Sequence, residues 1–312
     1  MELNPNLKAL GFRHGIRESH EAILHQNFSA LLDRRWDSPS LTDETEKNVL
    51  DLSGQLQQTF PSEFPGTRYH LIEHKGGYFF AKDYKVPAFK QKLARRELTA
   101  SALIHAKRPD LVFEPVGLIE IGKGKGKRQI LVSRFDPRFV NLYAHLTGGL
   151  NKSLTSRNET VRQNAQDGRN WIVQALGEAY GEVHGMGIQH GDAYPPNAMI
   201  RLNENGFPTE LKLIDFQHAS TQETWKRKGR KPTFEHGSET GQRSDFHRLV
   251  QKYSDIMGLP SADEIRLFLS QYYLSKLGRV PRNIASLAKR AAEGIEKEKR
   301  AKQERREEYL FE

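Results

Sequence analysis

The chain has 312 residues, which is long enough for one large two-lobed domain or two small ones. Its hydrophobic content of 37% is adequate for a packed core. The absence of cysteine excludes disulfides and thiolate metal sites, so a bound metal would need oxygen or imidazole ligands. No run approaches the roughly 18 apolar residues of a membrane span, and Met1 to Asn27 lacks the pattern of a secretory signal. We therefore expect a cytoplasmic protein. Its net charge of +9 indicates either an anionic partner or a charge that simply keeps the protein soluble.

The first 58 residues are polar, rich in charge and only weakly periodic. We interpret residues 1–58 as an N-terminal extension rather than a separate domain. Helices are predicted around Ser19–Leu32 and Asp43–Gln58, with Asp43 as the N-cap of the second.

Two hairpins and one helix are predicted between residues 59 and 132. The runs TRYHLIEH and YFFAKDY are typical of paired strands, because the glycines in the Lys75–Gly77 turn supply positive φ. A helix should follow from about Ala88 to Lys107. FEPVGLIEI and RQILVSRF then form a second hairpin around the run GKGKGK. This order predicts a small antiparallel-sheet lobe with one helix.

From residue 133 onward the pattern is mainly helical. A polar stretch near Gly148–Gly168 precedes WIVQALGEAYGEVHGMGI, whose apolar residues recur at helical spacing and predict a central buried helix. Further helices are expected at Asp245–Ile256, Ala262–Leu277 and, highly charged, at about Pro281–Tyr309. The expected fold class is thus α+β, with the sheet lobe at 59–132 and a mainly helical lobe at 133–312.

The strongest chemical pattern is QHGDAYPPN, an HxDxxxxN run that contains Asp192 and Asn197. A second carboxylate, Asp215, follows LKLI, and a hairpin turning at Asn203–Gly206 would bring all three side chains to one point. Phosphoryl transfer from ATP requires a carboxylate to orient the acceptor hydroxyl and oxygen ligands for Mg²⁺. The pattern therefore predicts Asp192 as the base, and Asn197 and Asp215 as metal ligands. A lone HxD would indicate only a loop histidine beside a solvated aspartate.

The strand YFFAKDY contains Lys82, at the place from which a strand lysine reaches the α- and β-phosphates of a nucleotide. On the following helix, Glu97 falls on the same face as Leu93, Ala100 and Ile104. A carboxylate on an apolar face needs a partner, and Lys82 is the predicted one. The alternative is that Glu97 lies at the edge of this face and pairs with a Lys or Arg of its own helix.

The run GKGKGK lacks GxxxxGK[ST] and joins two strands, so we interpret it as a hairpin turn rather than a phosphate loop. The loop that covers the nucleotide is expected at Pro61–Thr67 instead. Gly66 is the only glycine in that stretch and is the candidate for contact with the phosphates.

Two other features each have two interpretations. Asp245 either braces the backbone around His190 or caps the helix that it opens. The basic run WKRKGRK at Trp225–Lys231 is either an anion site or a solvated, mobile loop.

In these residues the chain resembles the protein-kinase-like superfamily, and within it the bacterial lipopolysaccharide core kinases, the Kdo and heptose kinase group. The similar stretches are TRYHLIEHKGGYFFAKDY, the helix with Glu97, HGDAYPPNAMI, LKLIDFQHAS and RLFLSQYY. The resemblance implies a bilobal protein-kinase-like fold that uses ATP and Mg²⁺. It also implies catalytic roles for Lys82, Glu97 and Asp192, with Asn197 and Asp215 as the metal ligands.

The resemblance further implies how both substrates are held. By analogy with the fold, the linker Val132–Asp136 would bind adenine through its backbone, which makes Ser133 and Phe135 candidate nucleotide contacts. The acceptor would be a sugar hydroxyl on the lipid-anchored core, with peripheral contact to the inner membrane face. The HGD form also occurs in aminoglycoside and choline phosphotransferases and in RIO-type protein kinases.

The sequence is compatible with three functions. The leading one is an ATP-dependent kinase that acts on a hydroxyl of an anionic sugar or glycolipid, and the second is an atypical serine/threonine protein kinase. The third is a non-catalytic nucleotide-binding pseudokinase or nucleic-acid scaffold. Nucleic-acid binding is disfavoured, because the tail from Lys289 to Arg306 alternates Lys, Arg and Glu as an ion-paired helix does.

Overall fold

The computed structural model describes residues 5–17, 20–25, 67–74, 77–85, 92–121, 128–221, 245–258 and 260–310. The chain divides into two compact units. The first comprises Met1–Asn141 and Lys212–Thr221, and the second comprises Leu142–Leu211 and Gln222–Glu312. The first unit is built on an antiparallel sheet and the second is mainly helical, so the predicted α+β class is confirmed.

The sheet of the first unit has six strands in the order β1-β2-β5-β6-β4-β3, and its neighbouring strands are antiparallel. The strands are β1 (Phe12–Arg17), β2 (His20–His25), β3 (Thr67–His74), β4 (Gly77–Lys85), β5 (Pro115–Ile121) and β6 (Arg128–Phe135). Both predicted hairpins, β3–β4 and β5–β6, are therefore confirmed. In this register Lys82 of β4 lies between Tyr69 of β3 and Leu131 of β6.

The N-terminal residues differ from the prediction. A short helix, α1 (Pro5–Ala9), leads into β1, and β2 then pairs with β5 of the sheet. The helix expected over Ser19–Leu32 is thus wrong for His20–His25. The run Ala-Ile-Leu in β2 suits a helix as well as a strand, and pairing with β5 decides between them. These strands belong to the first unit, and the helix expected over Asp43–Gln58 lies outside the described residues.

One helix, α2 (Lys92–His105), covers the sheet and matches the predicted helix in its described part. Its residues Ala94, Leu98 and Ala102 are buried against Leu118 of β5 and Leu131 of β6. Tyr84, Leu7 and Phe12 join the same apolar cluster. Burial of this face, rather than helix propensity alone, holds α2 in place.

The second unit is organised around one long helix, α5. Its described helices are α3 (Leu142–His145), α4 (Asn151–Leu154), α5 (Glu159–Gly185), α6 (Asp245–Met257), α7 (Ala262–Leu277) and α8 (Ile284–Leu310). The predicted central helix is confirmed, but it begins earlier than expected. Asn158 caps it by accepting a hydrogen bond from the Val161 amide at 3.3 Å, so part of the polar stretch is helical.

The further described strands are short: β7 (Phe139–Asn141), β8 (Ile188–Gln189), β9 (Ala198–Leu202), β10 (Pro208–Leu213) and β11 (Ser220–Thr221). β9 and β10 are neighbours, and the expected turn between them is present, with the Gly206 amide donating to the Asn203 carbonyl at 2.9 Å. In the described part of the chain, no helix is both long and apolar enough to cross a bilayer.

Two glycines of α5 let α7 approach closely. A methyl group at Gly181 would lie 2.5 Å from the Tyr272 carbonyl oxygen and 3.0 Å from Ser275 Cβ. Gly177, one turn earlier, would meet the Phe268 carbonyl oxygen in the same way. The backbone of α7 therefore occupies the space that side chains would need, and the two helices pack at short distance.

Gly181→Ala should lower the free energy of unfolding by about 1–3 kcal/mol, because the crowding exceeds the gain in helix propensity. Gly294 of α8 is exposed, and a methyl group at this position would have no described atom within 4 Å, so Gly294→Ala is the matched control. It should stabilise the protein by up to about 1 kcal/mol. Urea denaturation of both variants measures this, and equal effects of the two substitutions would contradict the close packing.

Candidate active site

The first cluster of charged residues lies in the first unit and centres on Lys82. Strand β4 directs this side chain toward α2, where its Nζ lies 3.2 Å from Glu97 Oε2. The same Nζ donates to Asp215 Oδ1 at 2.6 Å. Lys82 is 5% exposed and Glu97 is 6% exposed, so one buried cation is shared by two carboxylates. The predicted contact between Lys82 and Glu97 is present, and the alternative pairing of Glu97 within its own helix is not adopted.

Tyr84 is a member of this cluster that sequence reasoning missed. Its hydroxyl donates to Glu97 Oε2 at 2.5 Å, and Lys82 Nζ lies 5.0 Å from the centre of its ring. Burial raises the pKa of Glu97, and the neighbouring Lys82 opposes this rise. Burial also raises the pKa of Tyr84, which keeps the phenol protonated as a donor. The available signal was spacing, since residues two apart on a strand share a face.

Asp215 is held in a strained backbone conformation. Its φ of 64° and ψ of 58° are left-handed, and among the described residues it is the one non-glycine with positive φ. Such a conformation costs of the order of 1–3 kcal/mol and persists where the surroundings enforce it. Here the turn that follows packs against α2, and Arg96 donates to the Gln217 carbonyl at 3.4 Å. In this left-handed conformation the carboxylate of Asp215 reaches Lys82.

The second cluster lies in the second unit, on the loop between β8 and β9. Asn197 Nδ2 donates to the Asp192 carbonyl at 2.8 Å and to Asp192 Oδ2 at 3.2 Å. Asn197 is completely buried, and its Oδ1 has no hydrogen-bond partner in the described structure. An unsatisfied buried amide oxygen is costly and is a hard ligand of the kind that Mg²⁺ prefers. The residue therefore fits the metal-ligand role that the sequence predicts.

Asp245 braces this loop from the first turn of α6. Its Oδ2 accepts from the His190 amide at 2.7 Å and its Oδ1 accepts from the Gly191 amide at 2.9 Å. His184 Nε2 lies 3.0 Å from Oδ2. Although burial opposes it, the hydrogen bonds from His184 and from the His190 amide help to lower the pKa of Asp245. Of the two interpretations of Asp245, the structure shows the bracing of the His190 backbone.

A chain of hydrogen bonds supports Asp245 from behind. Lys276 Nζ donates to the Tyr272 hydroxyl at 2.9 Å, and this hydroxyl lies 3.2 Å from His184 Nδ1. Burial lowers the pKa of His184, so its neutral form is favoured. An ionised Asp245 can only accept, and this places the proton of neutral His184 on Nε2. Sequence reasoning missed His184 and Tyr272, which lie on α5 and α7.

The remaining predicted site residues are distributed as follows. Gly66 and the basic run Trp225–Lys231 lie outside the described residues. Ser133 and Phe135 lie in β6, where Ser133 is opposite Phe80 of β4, and the ring of Phe135 is 5.9 Å from that of Phe80. Val132 to Phe135 were expected to form a linker, but they continue the strand because their pairing with β4 extends to Phe135. Their role in nucleotide binding stays a prediction.

A strand lysine that a helix glutamate holds, together with a carboxylate on a braced HxDxxxxN loop, suits the transfer of a phosphoryl group. The described residues are accordingly of the kind that kinases use. Residues 146–253, which include the braced loop and most of α6, match the lipopolysaccharide kinase (Kdo/WaaP) family. The predicted similarity to lipopolysaccharide core kinases is thus confirmed.

Comparison with individual proteins gives shorter or more distant similarities. The serine/threonine-protein kinases GD17699 of Drosophila simulans and CG17528 of Drosophila melanogaster are each 44% identical to this chain over 45 residues. That stretch is 14% of this chain and 6% of either relative. A solved structure of WaaP in complex with acyl carrier protein is 19% identical, covers 75% of this chain and 87% of its own, and has a TM-score of 0.47.

Tyr84→Phe should weaken ATP binding about tenfold, because Glu97 would lose a charge-assisted hydrogen bond and hold Lys82 more tightly. Calorimetric titration with ATP measures the dissociation constant. Tyr78→Phe on the same strand is the control, since Tyr78 is 38% exposed and lies outside the cluster. A folded Tyr84→Phe protein with unchanged ATP affinity would show that the phenol does not position Lys82.

Proposed function

We propose that this kinase transfers the γ-phosphate of ATP to a hydroxyl of a lipopolysaccharide core sugar, with Mg²⁺ as cofactor. The observation that carries the proposal is the contact of Lys82 with both Glu97 and Asp215. The two carboxylates hold the Lys82 ammonium in one position, from which it can donate to phosphate oxygens. The family match of residues 146–253 supports the sugar acceptor.

In this proposal the first unit holds the nucleotide phosphates. Lys82 donates to the α- and β-phosphates, while Glu97 keeps its side chain extended along the face of α2. The Tyr84 hydroxyl satisfies Glu97 Oε2, so Glu97 stays hydrogen-bonded when Lys82 turns toward the phosphates. Asp215, the second partner of Lys82, would hold the metal.

Asp192 acts as the base in the second unit. Its carboxylate accepts the hydrogen bond of the acceptor hydroxyl and takes the proton as the new O–P bond forms. Asn197 fixes its orientation through Nδ2, and Asp245 fixes the backbone at His190 and Gly191. The side chain of Asp192 is 23% exposed, which leaves it accessible to an acceptor.

The ligands proposed for Mg²⁺ are Asn197 Oδ1 and the Asp215 carboxylate. The orphaned, buried Oδ1 of Asn197 supports this assignment. When bound, the metal would neutralise negative charge on the β- and γ-phosphates. Few protein ligands are needed, because Mg²⁺ usually keeps several waters and binds substrate phosphates.

The surface of the second unit supports an anionic, membrane-anchored acceptor. Between Glu264 and Glu293 the chain has six Lys or Arg residues and no acidic residue. Leu277 and Val280 in this stretch are 53% and 40% exposed, beside exposed Arg279. Apolar side chains among arginines suit the interface of an anionic membrane, which is consistent with peripheral contact at the inner membrane face.

An atypical serine/threonine protein kinase is the second candidate, and the 45-residue similarity to Drosophila protein kinases favours it. Both candidates use the same assigned residues and differ in the acceptor. Nucleic-acid binding by α8 is not part of the proposal. Its Arg300–Glu296 pair is of the kind that solvated helices form between neighbouring turns.

The test incubates wild type and Asp192→Asn with Mg²⁺ and γ-labelled ATP, together with extracted lipopolysaccharide, a generic protein substrate or simple sugars. Wild type should label the glycolipid, and Asp192→Asn should lower the rate at least about 100-fold, because the base is lost. ATP affinity should be similar in both, since the substitution keeps Lys82 and both proposed metal ligands. Labelling of protein alone would favour the second candidate, and labelling of no fraction would contradict both.

A further inference from the structure

A guanidinium group lies directly beside the proposed base. Arg248 is on α6, one helical turn after Asp245, and its Nη1 is 3.4 Å from Asp192 Oδ1. Because Asp245 fixes α6 to the backbone of the same loop, the position of Arg248 relative to Asp192 is built into the fold. The hydrogen bonds of Asp245 therefore keep Arg248 and Asp192 near each other.

The contact leaves most of the guanidinium unused. Charge-assisted N–H···O bonds usually measure about 2.7–2.9 Å, so a single contact at 3.4 Å is loose. Arginine has five N–H donors, and in the described structure this is the one hydrogen bond or ion pair of the Arg248 side chain. The side chain is 37% exposed. Arg248 is thus accessible to solvent, and its guanidinium has further N–H donors available beside the proposed base, Asp192.

We propose that Arg248 binds an anionic group of the acceptor, a carboxylate or a phosphate, while Asp192 receives the acceptor hydroxyl. This inference rests on the proposed function. A planar guanidinium matches either anion with two parallel hydrogen bonds, which Lys would not provide. The short distance between Arg248 and Asp192 requires the anion and the hydroxyl to lie on the same or adjacent sugar rings.

The pairing also explains why Arg248 does not block the base. A close, bidentate pair would occupy both oxygens of Asp192. Here Asn197 donates to Oδ2, and the contact of Arg248 with Oδ1 is long, at 3.4 Å. An anionic acceptor offers the guanidinium a better partner, so binding of the acceptor would break the contact between Arg248 and Asp192.

The test compares Arg248→Gln with wild type on three acceptors: delipidated core oligosaccharide, the same material after dephosphorylation, and the same material after reduction of its carboxyl groups. With the native oligosaccharide, kcat/KM should fall at least about tenfold, mostly through KM. The loss should disappear with the acceptor form that lacks the recognised anion, which distinguishes phosphate from carboxylate. Arg248→Lys should restore part of the activity because it keeps the charge.

Lys252, exposed one turn further along α6, provides the matched control, and Lys252→Gln should behave as wild type. An equal loss for Arg248→Gln on all three acceptors would overturn the inference and assign Arg248 to the support of Asp192, with the proposed function intact. If wild type itself labels none of the three acceptors, the proposed function fails and this inference fails with it.

Discussion

The structure of the first unit depends on the pairing of one buried lysine, Lys82, with two carboxylates. Lys82 carries a single positive charge between Glu97 and Asp215, and removing these charges from water is costly unless each is paired and hydrogen-bonded. The hydrogen bond from Tyr84 offsets part of this cost, whereas the strained backbone at Asp215 adds to it. The position of β4 in the sheet and the buried face of α2 set the distances between these groups, so the scaffold of the first unit serves this one interaction.

A comparable constraint organises the second unit. Asp245 holds the HxDxxxxN loop by accepting hydrogen bonds from two adjacent backbone amides. The Asp245 carboxylate is hydrogen-bonded to neutral His184, and His184 is hydrogen-bonded to Tyr272. Residues of α5, α6 and α7 therefore all help to hold the loop. The close approach of α5 and α7 at Gly181 allows this alignment. Rigid support of this kind keeps Asp192 in position before any substrate is bound.

Elements with strong local signals could be predicted from sequence. Helix α7 was predicted over its observed range, because Ser261 and Glu264 form a capping box and Gly278 ends the helix with a left-handed conformation. Strand β2 was missed, since its sequence suits a helix as well as a strand and one of its two partners, β5, lies about 100 residues further along the chain. The contacts of Tyr84 and Arg248 were missed because their partners lie 13 and 56 residues away in the chain. For Tyr84 the one local signal was its place two residues after Lys82 on the same face of β4.

We propose that Asp215 would leave Lys82 and hold a metal ion when nucleotide binds. The decisive measurement is calorimetric titration of wild type and Asp215→Asn with ATP, each with and without Mg²⁺. Mg²⁺ should tighten ATP binding to wild type at least about tenfold and should have little effect on Asp215→Asn, because the variant lacks the metal-binding carboxylate. Equal enhancement by Mg²⁺ in both proteins, or none in wild type, would contradict the account.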